Sequence, residues 1–344
     1  MRVAMLTGPR RLEVFDRPDP VADPGTVVVQ IDRCGIGGTD IEAFRAGTVP
    51  APAWFGHEWV GRVVAVGEGC RDRFLGERVV GAVPPPCGDC RTCRAGLGEH
   101  CELVLSMIVG TDRAASPHGA FAERIRADAR RVHRVPDGVE DSNAALAEPA
   151  AVAAHAVARA GQRLGDLVVV VGAGTIGLLV GELARLAGAA RVAAVDIEPG
   201  RRELACALGA DAAFAPGPEL DRCLADQGHG LGADVSYECA GSSETPALAV
   251  RATRQGGTVV MVGRSSEPAT VVPAGLIARQ TTIRASLGYT IGDVHRALDL
   301  MADDRFRVSA IHERLIGFGD LADAFSDLAD HTGARRKVLF SPCA

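Results

Sequence analysis

Lysine is almost missing from this chain: all but one of its 37 Lys and Arg residues are arginine, and the exception is Lys337. Alongside the abundant alanine, that bias reads as codon usage rather than function. An excess of positive charge is missing too. The 43 acidic residues outnumber the basic ones and give a net charge of −6, which argues against nucleic acid or an anionic membrane as the main partner. No apolar run approaches the roughly 18 residues of a membrane-spanning helix. The segment Met1–Pro9 lacks the long apolar stretch of a secretory signal. Repeats and low-complexity tracts are absent. These absences point to a cytoplasmic globular protein. Its 344 residues, 47% hydrophobic and 23% charged, suffice for two domains at roughly 100–200 residues each.

Cysteine is not scarce. There are ten, and without export disulfides are not expected, so metal, catalysis or burial must account for them. Four lie within fifteen residues, as Cys87-Gly-Asp-Cys90-Arg-Thr-Cys93 and then Cys101. Thiolates at this spacing reach one tetrahedral ion, and four sulfurs with no open position describe a structural zinc that ties down a loop. Cys206, Cys223 and Cys239 read as buried inert thiols, and Cys343 as an exposed tail residue.

Up to about residue 140 the chain reads as short strands punctuated by Gly and Pro, for example Thr26–Ile31, Val60–Val66 and Arg78–Val83. After Pro136-Asp-Gly138 the texture changes. Alanine-rich helical stretches alternate with the strands Leu167–Val171, Arg191–Asp196, Ala233–Tyr237 and Gly257–Val262. That alternation predicts an α/β unit, a parallel sheet with helices on both faces. Helices are expected at about Asp293–Asp303 and Leu321–Leu328, and a closing strand at Lys337–Phe340.

Strand Val168–Val171 runs into Gly172-Ala-Gly174-Thr175-Ile176-Gly177 and then a helix. In that context the glycines have separate tasks: Gly172 makes the tight turn, Gly174 lets the backbone approach a pyrophosphate, and Gly177 lets helix and strand pack closely. The next strand ends in Asp196, nineteen residues after Gly177. A carboxylate there accepts from the adenosine ribose diol and repels a 2′-phosphate, which favours NAD over NADP. Arg201 and Arg202 pull the other way, because an arginine at this place accepts a phosphate.

In this order, a β-rich unit, a four-cysteine lobe and a dinucleotide turn resemble the zinc-containing medium-chain dehydrogenases. The motifs are Gly56-His-Glu58 with Val60-Gly61, the cysteine lobe, Gly119-Ala-Phe-Ala-Glu123, Glu148-Pro149, Gly172–Gly177 and Asp196. The resemblance covers nearly the whole chain. It implies a GroES-like catalytic domain from residues 1–148 and 285–344, with a zinc lobe at about 84–104, and a Rossmann NAD-binding domain at 149–284. It implies a homodimer or homotetramer joined through the edges of the Rossmann sheets. It also implies an NAD-dependent oxidoreductase interconverting a secondary alcohol and a ketone. The three glutamates Glu42, Glu58 and Glu148 favour a polyol, cyclitol or sugar-type substrate.

One position breaks the pattern. The family binds a second, catalytic zinc through a Cys, the His of Gly-His-Glu and a Glu or Cys about ninety residues later. The stretch here is Cys34-Gly-Ile-Gly37-Gly-Thr39-Asp40, so the ligand position is Gly37, and His57 and Glu148 remain. Three readings stand: a weakened zinc on His57 and Glu148, with Glu58 assisting; a metal reached by Cys34; or no catalytic zinc, the polar cluster acting as general acid and base. By the same resemblance Thr39 is the proton-relay hydroxyl, Glu42 occupies the relay's outer position, and Asp40 holds the loop. Trp54, Phe55 and Tyr289 are candidate pocket residues. A zinc-independent lyase, epimerase or conjugate reductase is the alternative function, and a non-catalytic NAD-binding protein the lesser one.

Overall fold

The computed structural model describes residues 1–47, 54–70, 75–108, 119–228, 230–265, 267–330 and 337–344. Two sheets organise them. Strand Leu167–Val171 is buried along its whole length, as a strand covered on both faces must be. It lies between Arg191–Val195 and Ala233–Glu238 in a six-stranded parallel sheet, which continues through Thr253–Met261 to an edge strand, Thr282–Ala285, and on the other side ends at Ala212–Phe214. The fold is therefore α/β, a GroES-like unit joined to a Rossmann-type parallel sheet.

The second sheet is mostly antiparallel. It joins strands from residues 26–134 to the C-terminal strands His312–Ile316 and Lys337–Phe340. Its central strand, Thr26–Gly35, pairs with Glu58–Val66, Arg124–Asp128 and Lys337–Phe340. This pairing brings Glu58 opposite Gly35, and Leu339 opposite the same residue from the other side. Residues far apart in sequence thus meet at one end of the sheet.

Helix Ala147–Ala160 links the two units. It buries seven alanines, and such small side chains allow close approach. It packs along helix Thr175–Leu186, along Ile291–Ala302 and against strands of both sheets. Glu148 sits in its first turn, so the helix carries a carboxylate from the interdomain core toward the catalytic unit. Among the described residues no helix is long and apolar enough to cross a membrane.

Some expectations need correction. Cys206 is exposed, and Cys223 and Cys239 are half-buried rather than buried; helical spacing alone did not fix which way the first two face. Phe55, a candidate pocket residue, packs in the core, its ring 4.7 Å from Phe121 and 5.3 Å from Phe325.

Candidate active site

Asp40 organises the first part of the site. It lies three residues into helix Gly38–Ala46 and accepts from Gly37 N at 2.9 Å, which caps the helix. Its other oxygen accepts from Gly56 N at 3.2 Å and stands 3.6 Å from His57 Nδ1. Asp40 therefore holds the loop, as expected, and sets its negative charge beside the His57 ring. His57 Nε2 then faces Glu148 Oε2 at 3.9 Å, too far for a hydrogen bond. Burial lowers the pKa of His57, but Asp40, Glu148 and Glu58 reverse this and raise it to about 10. Burial pushes Glu148 up to about 7, with His57 opposing and Glu58 adding to the rise. Tyr289 is buried with its phenol against Glu148.

Glu58 is tied to a residue that sequence reasoning passed over. Lys337 Nζ donates to Glu58 Oε1 at 2.8 Å and to Ile36 O at 3.0 Å, and lies 2.7 Å from Glu58 Oε2. Both side chains are buried. The available signal was that the sole lysine opens an apolar strand.

Gly37 leaves no vacant slot. A Cβ there would stand 2.9 Å from Glu58 Oε1 and 2.9 Å from His57 Cε1, so these groups occupy the space of a ligand side chain. Cys34 does not replace it. Its thiol is fully buried, near the Cβ position of Gly56 and next to Phe121, and it lies outside the metal-competent cluster of His57, Glu58 and Glu148, whose ligand atoms are within 4.8 Å of one another. The residues present thus fit a cation held by imidazole and carboxylate.

Thr39 and Glu42 are exposed on the same helix. Glu42 is not free: Arg264 Nη2 donates to its Oε2 at 2.6 Å, from the loop after strand Thr253–Met261. This pair ties the catalytic unit to the parallel-sheet unit.

The four lobe cysteines also converge, with Sγ atoms of Cys87 and Cys93, and of Cys90 and Cys101, 3.9 Å apart. Four sulfurs on one zinc at about 2.3 Å stand about 3.8 Å apart, so the lobe fits the ion. Backbone N–H groups of Cys87 and Cys90 point at the sulfurs of Cys101 and Cys87, which favours thiolates.

At the dinucleotide turn the three glycines differ as their positions require. Gly172 has φ 98°, and a Cβ there would lie 2.6 Å from Ala240 N; at Gly177 it would meet Gly172 O at 1.8 Å; at Gly174 it would meet nothing. The turn therefore stays open at Gly174, where helix Thr175–Leu186 begins with the free N–H groups of its first turn, Thr175 and Ile176 among them. Asp196 is buried and held by Ala173 N at 2.8 Å and Glu198 N at 2.9 Å. Arg201 Nη1 lies 3.7 Å from this carboxylate, while Arg202 donates to the carbonyls of Asp196 and Ile197.

Residues 23–137 match the alcohol dehydrogenase GroES-like domain and residues 175–303 the zinc-binding dehydrogenase model. The chain is 31% identical to L-threonine 3-dehydrogenase of Streptomyces avermitilis over 94% of each chain. The chain belongs to the zinc-containing medium-chain dehydrogenase family. This dehydrogenase is also 30% identical to a probable D-xylulose reductase A of Aspergillus clavatus, over 97% of its own length and 95% of the relative's. A zinc-binding dehydrogenase from Sinorhizobium meliloti 1021, solved with NADP, superposes with a TM-score of 0.88 over 99% of both chains at 30% identity. Membership makes it an oxidoreductase acting on alcohol substrates.

Proposed function

We propose that the chain is an NAD-dependent enzyme interconverting a secondary alcohol and a ketone on a polyol, cyclitol or sugar-type substrate. The observation that carries this reading is the cluster of buried Asp40 with half-buried His57 and Glu148, the last delivered by the helix that packs along the dinucleotide helix. Bound NAD supplies the hydride acceptor. Gly172, Gly174 and Gly177, with the N–H groups of Thr175 and Ile176, receive the pyrophosphate. Asp196 accepts from the ribose diol, and Arg201 is drawn toward Asp196 rather than outward to a 2′-phosphate.

On oxidation the substrate hydroxyl gives its proton to the relay that begins at Thr39, whose hydroxyl both accepts and donates. The His57–Glu148 pair is the proton store, because burial and charge place one member close to neutrality. Glu58, fixed by Lys337, contributes negative charge rather than a free base. The division falls at about residue 148, within the first turn of the bridging helix, and again at about 285. One zinc occupies the Cys87/Cys90/Cys93/Cys101 lobe. The homodimer or homotetramer forms through strand Thr282–Ala285, which is exposed at every residue at the sheet edge.

The experiment is net reduction of NAD and of NADP by the purified protein across a panel of polyols, cyclitols and sugars. NADH formation with at least one of them, and a higher kcat/KM with NAD than with NADP, is expected. The glycine at position 37 keeps the zinc-independent alternative in view. Turnover with retained NAD and no net NADH would favour a transient-redox lyase or epimerase.

A further inference from the structure

A fully buried carboxylate lies outside both the cleft cluster and the glycine turn. Glu238 ends strand Ala233–Glu238 with no solvent exposure. A charge in such a place is costly unless its oxygens are supplied with donors. Oε1 receives three: Ala240 N at 3.0 Å, Gly241 N at 2.8 Å and Thr245 Oγ1 at 2.7 Å. The backbone carbonyl of Glu238 accepts two more, from Val262 N and Gly263 N, both at 2.8 Å. One residue thus ties together the loops that follow strands Ala233–Glu238 and Thr253–Met261. The loops pack closely where they are tied. A Cβ at Gly263 would lie 2.3 Å from Gly241 N and 2.8 Å from Glu238 Oε2.

The place of these loops gives the tie a purpose. Strand Leu167–Val171 has Arg191–Val195 on one side and Ala233–Glu238 on the other. The strand order therefore reverses between Leu167–Val171 and Ala233–Glu238, and the crevice beyond their C-terminal ends is where an open α/β sheet receives its ligand. The glycine turn forms one wall of that crevice. Loop 239–245 forms the other: Cys239 N donates to Val171 O at 2.7 Å, and a Cβ at Gly172 would meet Ala240 N. The second loop leads straight into Arg264, which holds Glu42 of the catalytic unit.

We infer that Glu238 is a positioning residue for the cofactor: it fixes the crevice wall opposite the glycine turn and, being sealed inside the protein, does so without touching the dinucleotide. The inference rests on the turn Gly172–Gly177 taking NAD, as proposed above. Its physical basis is the strength of hydrogen bonds from N–H and O–H groups to a carboxylate, roughly twice that of neutral ones. Removing this side chain releases all three donors of loop 239–245 at once. An amide in its place keeps an acceptor oxygen at the Oε1 position, so Glu238→Gln preserves the tie that Glu238→Ala removes.

Fluorescence titration of the full chain with NADH, run beside thermal unfolding, tests this. Glu238→Ala should weaken NADH by more than about tenfold, the worth of one charged hydrogen bond. Glu238→Gln should stay within about threefold of wild type. Thr253→Val is the control. It removes a buried hydroxyl that donates to Ser236 Oγ at 2.7 Å, and Thr253 pairs with Ala233 at the far end of Glu238's strand. That variant should lower Tm and leave NADH affinity unchanged. If Glu238→Ala does not fold, Thr245→Val takes its place; it leaves both backbone donors on the carboxylate and should weaken NADH about threefold. Wild-type affinity in Glu238→Ala, or in Thr245→Val where that variant stands in, would overturn the inference, as would equal losses of affinity in Glu238→Ala and Thr253→Val. Wild type that binds no NADH would overturn the cofactor reading and this inference with it. The readout is bound nucleotide, so NADH binding without polyol turnover would count against the proposed function and not against the role of Glu238.

Discussion

Lys337 and Glu58 are a buried ion pair whose members answer to each other. Removing the cation alone leaves a carboxylate buried and uncompensated, which typically costs about 3–5 kcal/mol. Lys337→Met is therefore expected to lower stability by that order, and adding Glu58→Gln should recover much of it; chemical denaturation of the four proteins of the cycle measures the coupling. The pair was illegible in the sequence because its partners are 279 residues apart, and no local pattern joins the two strands that bring them together. His57 and Glu148 were legible, since motif spacing names them. The pKa shifts of both give the metal-free protein a definite pH dependence. His57 rises from 6.5 to about 10, so its contribution is complete below 6.5 and is lost as the pH climbs through 10. Glu148 rises from 4.5 to about 7, so its contribution is complete below 4.5 and is lost as the pH climbs through 7. Both fall in the same direction. Urea denaturation should show stability declining from mildly acidic to alkaline pH, and Glu148→Gln should flatten the decline around neutrality.

At the scale of the element, the bridging helix Ala147–Ala160 and the cysteine lobe have different kinds of work. The lobe is a small loop with little apolar burial of its own, so its order depends on the ion. Cys87→Ser should lose the lobe zinc and lower Tm, while activity per folded molecule stays close to wild type; a differential scan with a metal count checks both. Helix Gly38–Ala46 is linked to the parallel-sheet unit through Glu42 and Arg264, both about half exposed. An exposed pair is worth at most about 1 kcal/mol, and Glu42→Ala is expected to raise the cofactor KM by no more than about fivefold, with an effect that shrinks in high salt. Steady-state kinetics at two ionic strengths measures it. The sequence placed Glu42 at the relay's outer position but gave no sign of Arg264, which is 222 residues away. The glycine turn was readable because three glycines meet three separate steric demands, and their would-be Cβ contacts differ in the same way.

At the scale of the molecule, strand runs such as Leu167–Val171 and the alternation of helices with them made the parallel sheet legible. The catalytic sheet was less so. Its closing strand comes from the C-terminus, and pairing across some 300 residues leaves no local trace. Side-chain direction was lost for a similar reason: Phe55 lies beside the candidate site in sequence and in the aromatic core in space. On the function proposed above, the assembled molecule brings a hydride-acceptor site and a proton-handling cluster together without the usual thiolate. Net redox chemistry is measured most directly by the ratio of released NADH to ketone formed from a polyhydroxy alcohol. A ratio of one, with NADH and ketone falling together in Glu148→Gln, is the predicted result. Product formed with no NADH released would contradict the account.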